Sequence, residues 1–256
     1  MGLTRLALKL TAPAPKIEDF SRYLFIGPHP DDIEIGCGAT AAKLAAEGKS
    51  VTFLILTDGR FGDGWSGGVK GDDLRELRRG EAIRSAVYLG VTDVRFLDLC
   101  DGGFYDYEDM LRGVAKTIGE CRPELVFAPD PETGQELHVD HMNAGRAASR
   151  IACVAPYPGI MEKYGAGTSE VNAVAFYMTA RANRFVRIPK EMFDRQQEAL
   201  FGCHTSQFPE ENEETKALSL YLRLRSADFG LRCMSAHGEG FRVLGKTQMH
   251  CIPERP

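Results

Sequence analysis

Apolar positions along this chain fall into short continuous runs separated by stretches with helical spacing. "YLFIG" (Tyr23–Gly27) and "SVTFLILTDG" (Ser50–Gly59) are near-continuous apolar and β-branched runs, the pattern of strands covered on both faces. Between them "ATAAKLAAEG", closed by Gly48, reads as a helix, and "DDLRELRRGEAIRSAVYLG" (Asp72–Gly90) as a second one with an acidic start and a terminal glycine. "VRFLDL", "ELVFAPD" and "VNAVAFYM" read as further strands, with "DHMNAGRAASRIACVA" and "PKEMFDRQQEALFGCH" as later helices. This alternation over the first 180 residues predicts an α/β fold, a parallel sheet with helices on both faces. No polar linker divides the 256 residues, so a single domain is expected, with residues 1–20 as an N-terminal extension. The pattern weakens beyond Gln207, and residues 207–256 are read as a C-terminal segment.

Ligands of open parallel α/β sheets bind outside the carboxyl ends of the strands, so the chemistry is sought in the strand exits. The exits "GPHPDD", "TDGRFGDGWSGG", "DLCDGGFYD" and "APDPETGQELHVDH" hold His29, His138 and His141, half of the six histidines. His29 and Asp32 stand three apart on a turn entering a helix, which brings both side chains to one side, and His141 comes from another exit. Two neutral imidazoles and a carboxylate leave a fourth tetrahedral position for water, the arrangement of catalytic zinc sites. Adjacent residues point in different directions, so with Asp32 on the metal, Asp31 is free to act as general base. His138 is placed to polarise a carbonyl oxygen or to stabilise an oxyanion as an imidazolium, and Asp140 to orient a histidine from behind. A helix cap explains H-P-D-D alone, and surface histidines explain H-x-x-H alone. Their joint occurrence at two exits favours a metal centre.

Composition narrows the field. With 43% hydrophobic residues, 26% charged residues and a net charge of −5, the chain suits a globular protein and not a binder of phosphate backbones, so no nucleic acid partner is expected. The stretch from Met1 has a short apolar segment without a clear cleavage site, and no run approaches membrane-spanning length, so a cytoplasmic protein with no membrane partner is expected. The seven cysteines form no C-x-x-C pair and read as thiols in a reducing compartment. "EGKS" is not a phosphate loop, because Lys43 stands where the first glycine belongs and the segment precedes a strand. "GCGAT" lacks the third glycine of a dinucleotide fingerprint.

"PHPDDIEIGCGAT", "LTDG", "LRRGEAIRSAVYLG", "FAPD", "HVDH" and "CHTSQF", in that order, resemble the LmbE/PIG-L family of zinc-dependent N-deacetylases. The resemblance implies a Rossmann-like, mostly parallel sheet and hydrolysis of the N-acetyl group of an N-acetylglucosamine-type sugar, a small-molecule partner. It makes His29, Asp32 and His141 the ligands of Zn2+ (with Fe2+ as the alternative ion), Asp31 the general base and His138 the oxyanion group. Arg78 and Asp101 fall where the family holds sugar hydroxyls, although Arg78 also suits an ion pair with Glu81 on a surface helix. Trp65, in a glycine-rich loop, suits a sugar-stacking lid. "HTSQFPE", "HGEGFRV" and "MHCIP" resemble members acting on diacetylchitobiose, in which the counterpart of His250 enters a neighbouring subunit's site. That implies a homo-oligomer, a trimer or hexamer, with residues 207–256 at its interface. The family's usual Glu and Pro are here Ile33 and Val139, neither a ligand position, and Cys100 departs from the family at the sugar pocket. Two rivals share the residues: a non-haem iron oxygenase, since two histidines and a carboxylate also form a facial triad, and a sugar-binding protein with a structural metal.

Overall fold

Successive residues of a strand face opposite sides of its sheet, and the first strand shows the result directly. In β1 (Arg22–Gly27), Tyr23 and Phe25 point to one face and Leu24 and Ile26 to the other, each at most 1% exposed. Two apolar cores follow, one on each face. On the first, Phe25 stacks on Phe127 at 4.1 Å between ring centroids, beside Phe53 and Tyr177. On the second, Leu24, Ile26, Leu54 and Leu56 meet Met110, Val114, Ala144 and Ile151. Each fully buried Phe, Leu, Ile, Val or Met side chain among them contributes about 1.5–3 kcal/mol.

The computed structural model describes residues 11–250; residues 1–10 of the expected extension and Cys251 lie outside them. The remaining strands are β2 (Ser50–Thr57), β3 (Asp93–Leu99), β4 (Leu125–Pro129), β5 (Ala173–Tyr177), β6 (Arg184–Ile188) and β7 (His237–Gly245). The helices are α1 (Asp32–Ala46), α2 (Gly71–Tyr88), α3 (Tyr107–Cys121), α4 (Val139–Val154), α5 (Pro158–Met161), α6 (Lys190–Cys203), α7 (Glu213–Arg232) and α8 (Lys246–Met249). Helices α1, α2 and α6 cover the first face and α3 and α4 the second. The strand order is β3-β2-β1-β4-β5-β7-β6. The first five strands are parallel, whereas β7 runs antiparallel to both β5 and β6. This is the Rossmann-like, mostly parallel sheet, with an antiparallel edge that the weak pattern after Gln207 did not announce. Residues 14–20 pack on the body of the domain: Ile17 is 1% exposed, and the Tyr23 hydroxyl donates to the carbonyls of Ile17 and Phe20.

Order reverses between β1 and β4. The chain passes outward from β1 to β2 and β3, then returns to lay β4 on the other side of β1. The exits of β1 and β4 therefore diverge into helices and leave a crevice between them, the switch point at which such sheets bind ligands.

Helix α1 is not continuous. Cys37, at φ −158° and ψ 20°, breaks it one turn past its start, and Glu239 of β7 accepts hydrogen bonds there from the amides of Ala39 (3.2 Å) and Thr40 (2.7 Å). Gln196 of α6 completes the junction, donating to Glu239 and to the Glu34 carbonyl. Gly36 lets the Tyr177 ring lie against the turn, since a Cβ there would sit 2.1 Å from Tyr177 Cδ2. The Tyr177 hydroxyl then donates to the Ile26 carbonyl at 2.8 Å, tying the end of β1 to β5.

Candidate metal and active site

The turn "HPDD" is folded by its own second aspartate. Asp32 Oδ2 accepts the His29 backbone N–H at 2.9 Å and lies 3.0 Å from His29 Nδ1. Thr57, ending β2, clamps the same turn by donating its amide and its hydroxyl to the Pro28 carbonyl. Asp31 sits before α1 at φ 149° and ψ −23°, a backbone conformation that costs a side-chain-bearing residue on the order of 1–3 kcal/mol. The strain swings Asp31 away from Asp32. One carboxylate faces His29, and the other meets Arg78.

From the β4 exit, His138 caps α4, its Nδ1 accepting the Asp140 amide at 3.3 Å. One turn into the helix, His141 Nε2 lies 3.3 Å from Asp32 Oδ2. His29, Asp32 and His141 thus offer two imidazole nitrogens and a carboxylate oxygen within 4.8 Å of one another. Each imidazole is oriented by an acid on its far side. His29 Nε2 pairs with Asp140 Oδ2 at 3.0 Å, and His141 Nδ1 with Glu136 Oε2 at 3.0 Å. This leaves His29 Nδ1 and His141 Nε2 facing Asp32, the donor set that suits a divalent cation. His29, His138 and Asp140 also cluster, but Asp140 Oδ2 already accepts the Gly102 amide at 2.7 Å besides pairing with His29, and His138 Nδ1 holds the helix cap. The first group fits a metal better.

The electrostatics point the same way. Burial alone would lower the His29 pKa, but its hydrogen bonds to Asp140 and Asp32 overcome that and raise it to about 10. Burial likewise opposes a charge on His141, and Asp32 raises its pKa to about 9. Asp32 itself is held well below the ordinary carboxylate range, the nearby imidazoles outweighing its burial. Where the three side chains meet, positive charge is therefore favoured, and one divalent cation supplies it in place of two protons. Asp31 behaves differently: burial lifts its pKa to about 6, against the pull of Arg78. Burial and His29 lower the pKa of His138, and because its Nδ1 accepts the Asp140 amide, Nε2 is the nitrogen left to donate.

The remaining sequence candidates separate. Arg78 is 4% exposed; its guanidinium donates to Asp31 Oδ2 (3.0 Å), the Gly59 carbonyl (2.9 Å) and the Pro30 carbonyl (3.3 Å). It makes no pair with Glu81, which is itself buried and binds the amide and hydroxyl of Ser206. Asp101 is buried and accepts the Phe61 amide. Trp65 stands exposed in the β2 exit loop. His250 follows α8 at the other end of the sheet, because antiparallel β7 leaves β5 at Ala173, so its own chain does not bring it to the crevice. Sequence reasoning passed over Glu136 and the buried His204, whose Nε2 lies 3.4 Å from Glu34 Oε1. For His204 the signal was available in "CHTSQF"; Glu136 stood unremarked two residues before His138.

Residues 24–152 match the family described as PIG-L, GlcNAc-PI de-N-acetylase. The diacetylchitobiose deacetylase of Thermococcus kodakarensis is 33% identical over 254 residues, covering 98% of this chain and 92% of that protein. A 1D-myo-inositol 2-acetamido-2-deoxy-alpha-D-glucopyranoside deacetylase of Thermomonospora curvata is 33% identical over 200 residues, 68% of this chain and 67% of that protein. Among solved structures, N,N'-diacetylchitobiose deacetylase from Pyrococcus horikoshii, complexed with its inhibitor MPG, superposes with a TM-score of 0.86 at 28% identity, covering 99% of this chain and 97% of that one.

Proposed function

The chain belongs to the PIG-L family of de-N-acetylases, and from that premise we propose that it hydrolyses the N-acetyl group of an N-acetylglucosamine-type sugar, releasing acetate and the free amine. One observation carries this reading. His29 Nδ1, an Asp32 oxygen and His141 Nε2 converge, while a separate carboxylate, Asp31, is held beside them with a pKa of about 6. Zinc is the proposed ion, with iron(II) as the alternative. It would be held by those three side chains and, when bound, supplies Lewis acidity toward the acetamide carbonyl and makes an attacking water acidic near neutral pH.

The chain's own residues do the rest. Asp31, ionised above about pH 6, takes a proton from the attacking water. Arg78 occupies Oδ2, so the proton is assigned to Oδ1. The same carboxyl then delivers that proton to the amide nitrogen as the C–N bond breaks, which lets the amine leave neutral and the acyl group leave as acetic acid, whose remaining proton passes to solvent to give acetate. His138 presents Nε2–H to the oxygen that gains charge when the carbonyl carbon becomes tetrahedral. Asp140 and Glu136 fix the two ligand imidazoles, and Asp101 and Trp65 are the proposed sugar contacts. His250 enters this scheme only from a second copy of the chain, in the oligomer that the family resemblance implies.

The test is acetate release from N,N'-diacetylchitobiose and N-acetylglucosamine by zinc-reconstituted protein, run with and without oxygen. We expect turnover in both atmospheres. Loss of activity without oxygen would favour the oxygenase, and sugar binding without any acetate would leave a binding protein.

A further inference from the structure

The mouth of the crevice carries large apolar side chains that the fold does not need. Phe61 from the β2 exit and Phe104 from the β3 exit are 53% and 73% exposed, yet meet edge to face at 5.8 Å between centroids. Leu137 and Val139, on either side of His138, are 84% and 38% exposed. Side chains of this kind gathered at one place mark a contact surface.

These residues are tied to the centre by backbone. Gly102 donates its amide to Asp140 Oδ2, the atom that holds His29, and Phe104 follows two residues later. Gly102 and Gly103 adopt φ 73° and 82°, and a Cβ on Gly103 would lie 2.9 Å from Val139 Cγ1, so the turn that presents Phe104 rests on the start of α4. The Phe61 amide is held by Asp101. The lip is therefore fixed next to His138.

Its charge is also informative. The three exit loops, residues 58–70, 100–106 and 130–138, contain seven carboxylates and only Arg60 and Lys70 as Lys or Arg residues. Arg60 is held between Asp58 (2.7 Å) and Asp72 (3.3 Å), and Lys70 lies 4.0 Å from Asp63. A phosphate at this rim would meet carboxylates and cations that are already paired.

Resting on the deacetylase reading above, we propose that Phe61 and Phe104 form a subsite for a second, uncharged pyranose ring, selecting a neutral N-acetylated disaccharide over a monosaccharide or a sugar phosphate. The axial C–H face of a pyranose is apolar and flat, and laying it on an aromatic pair removes water from both while its hydroxyls stay in solvent.

The experiment measures kcat/KM of the zinc-reconstituted enzyme for N,N'-diacetylchitobiose, N-acetylglucosamine and N-acetylglucosamine 1-phosphate, in wild type and in Phe61→Ala/Phe104→Ala. We expect wild type to prefer the disaccharide over the monosaccharide by about 10-fold or more, and to disfavour the phosphate by a similar factor. In the double variant the disaccharide-to-monosaccharide ratio falls about 10-fold, mainly through KM. An unchanged ratio, or a preferred phosphate, overturns the proposal. So does a change of oligomeric state by light scattering at constant ratio, which would make the lip a contact between chains. Saturation-transfer NMR with cellobiose, an uncharged disaccharide with no acetamide to cleave, reads the subsite without turnover: a transfer signal that vanishes in the double variant supports it, and equal signals from both proteins sink it. Absence of acetate from every sugar, with this binding intact, would count against the catalytic reading alone.

Discussion

Arg78 donates to Asp31 across 3.0 Å, and it does so at the residue of the candidate site whose backbone is bent to φ 149°. The pair joins a buried cation of α2 to a strained acid ahead of α1, so each keeps the other in place. Replacing Arg78 by Met removes the cation that lowers the Asp31 pKa, leaving burial and Asp32 to raise it. The acidic limb of the kcat/KM profile should move to higher pH, and the variant should lose about 3–5 kcal/mol of stability because a buried carboxylate is left unpaired. Arg78→Lys keeps the charge and should hold the limb near its original position. A Met variant with an unmoved limb would remove Arg78 from the control of Asp31.

The adjacent carboxylates of "HPDD" should fail in different ways. Asp32→Asn should bring the metal content measured by plasma mass spectrometry close to zero. Asp31→Asn should keep the metal and lower kcat by about 10²–10⁴, the range for loss of a positioned proton carrier. Equal metal loss in both variants would contradict the division of roles.

Glu136 should act through His141. Its carboxylate lies 3.0 Å from Nδ1, fixing the tautomer that turns Nε2 toward Asp32. Glu136→Gln should weaken zinc affinity about 10–100-fold in competition with a chelator, while activity at saturating zinc falls less. Unchanged affinity would reduce Glu136 to a loop residue.

Glu239 makes stability depend on pH. Burial pushes its pKa from 4.5 up to about 7, even though two amides favour the charged form. Between those values the folded protein holds a proton that the unfolded chain has released, so this group's contribution is full below about pH 4.5 and falls as pH rises to about 7. The change is on the order of 3 kcal/mol. In Glu239→Gln it is absent, so urea unfolding at pH 4.5, 6 and 7.5 should show wild type losing ground to the variant as pH rises. A gap that stays flat would assign the dependence to other groups.

Much of this was legible in the sequence because it is local. The doubly covered strands declare themselves by continuous apolar runs, and His29, Asp32, His138 and His141 by spacing at strand exits. The rest depends on contacts between distant segments. In the sequence Arg78 suits a sugar contact or half of a surface i,i+3 pair, and only the fold shows α2 turning it under Asp31, 47 residues away. Glu239 binds Thr40 across 199 residues, which no periodicity encodes. Strand β6 has a half-exposed pattern and β7 a glycine-rich start, so neither shows the unbroken apolar run that marks β1 and β2.

The junction at Cys37 sets an order on the making of this protein. A ribosome that has reached Val154 has already delivered all the proposed metal ligands, yet Ala39 and Thr40 find their acceptor only when residue 239 has been added. The helix that follows β1 is completed by the last of the described strands. A shortened chain that ends before that strand retains every proposed ligand residue but lacks the carboxylate that finishes the helix behind them.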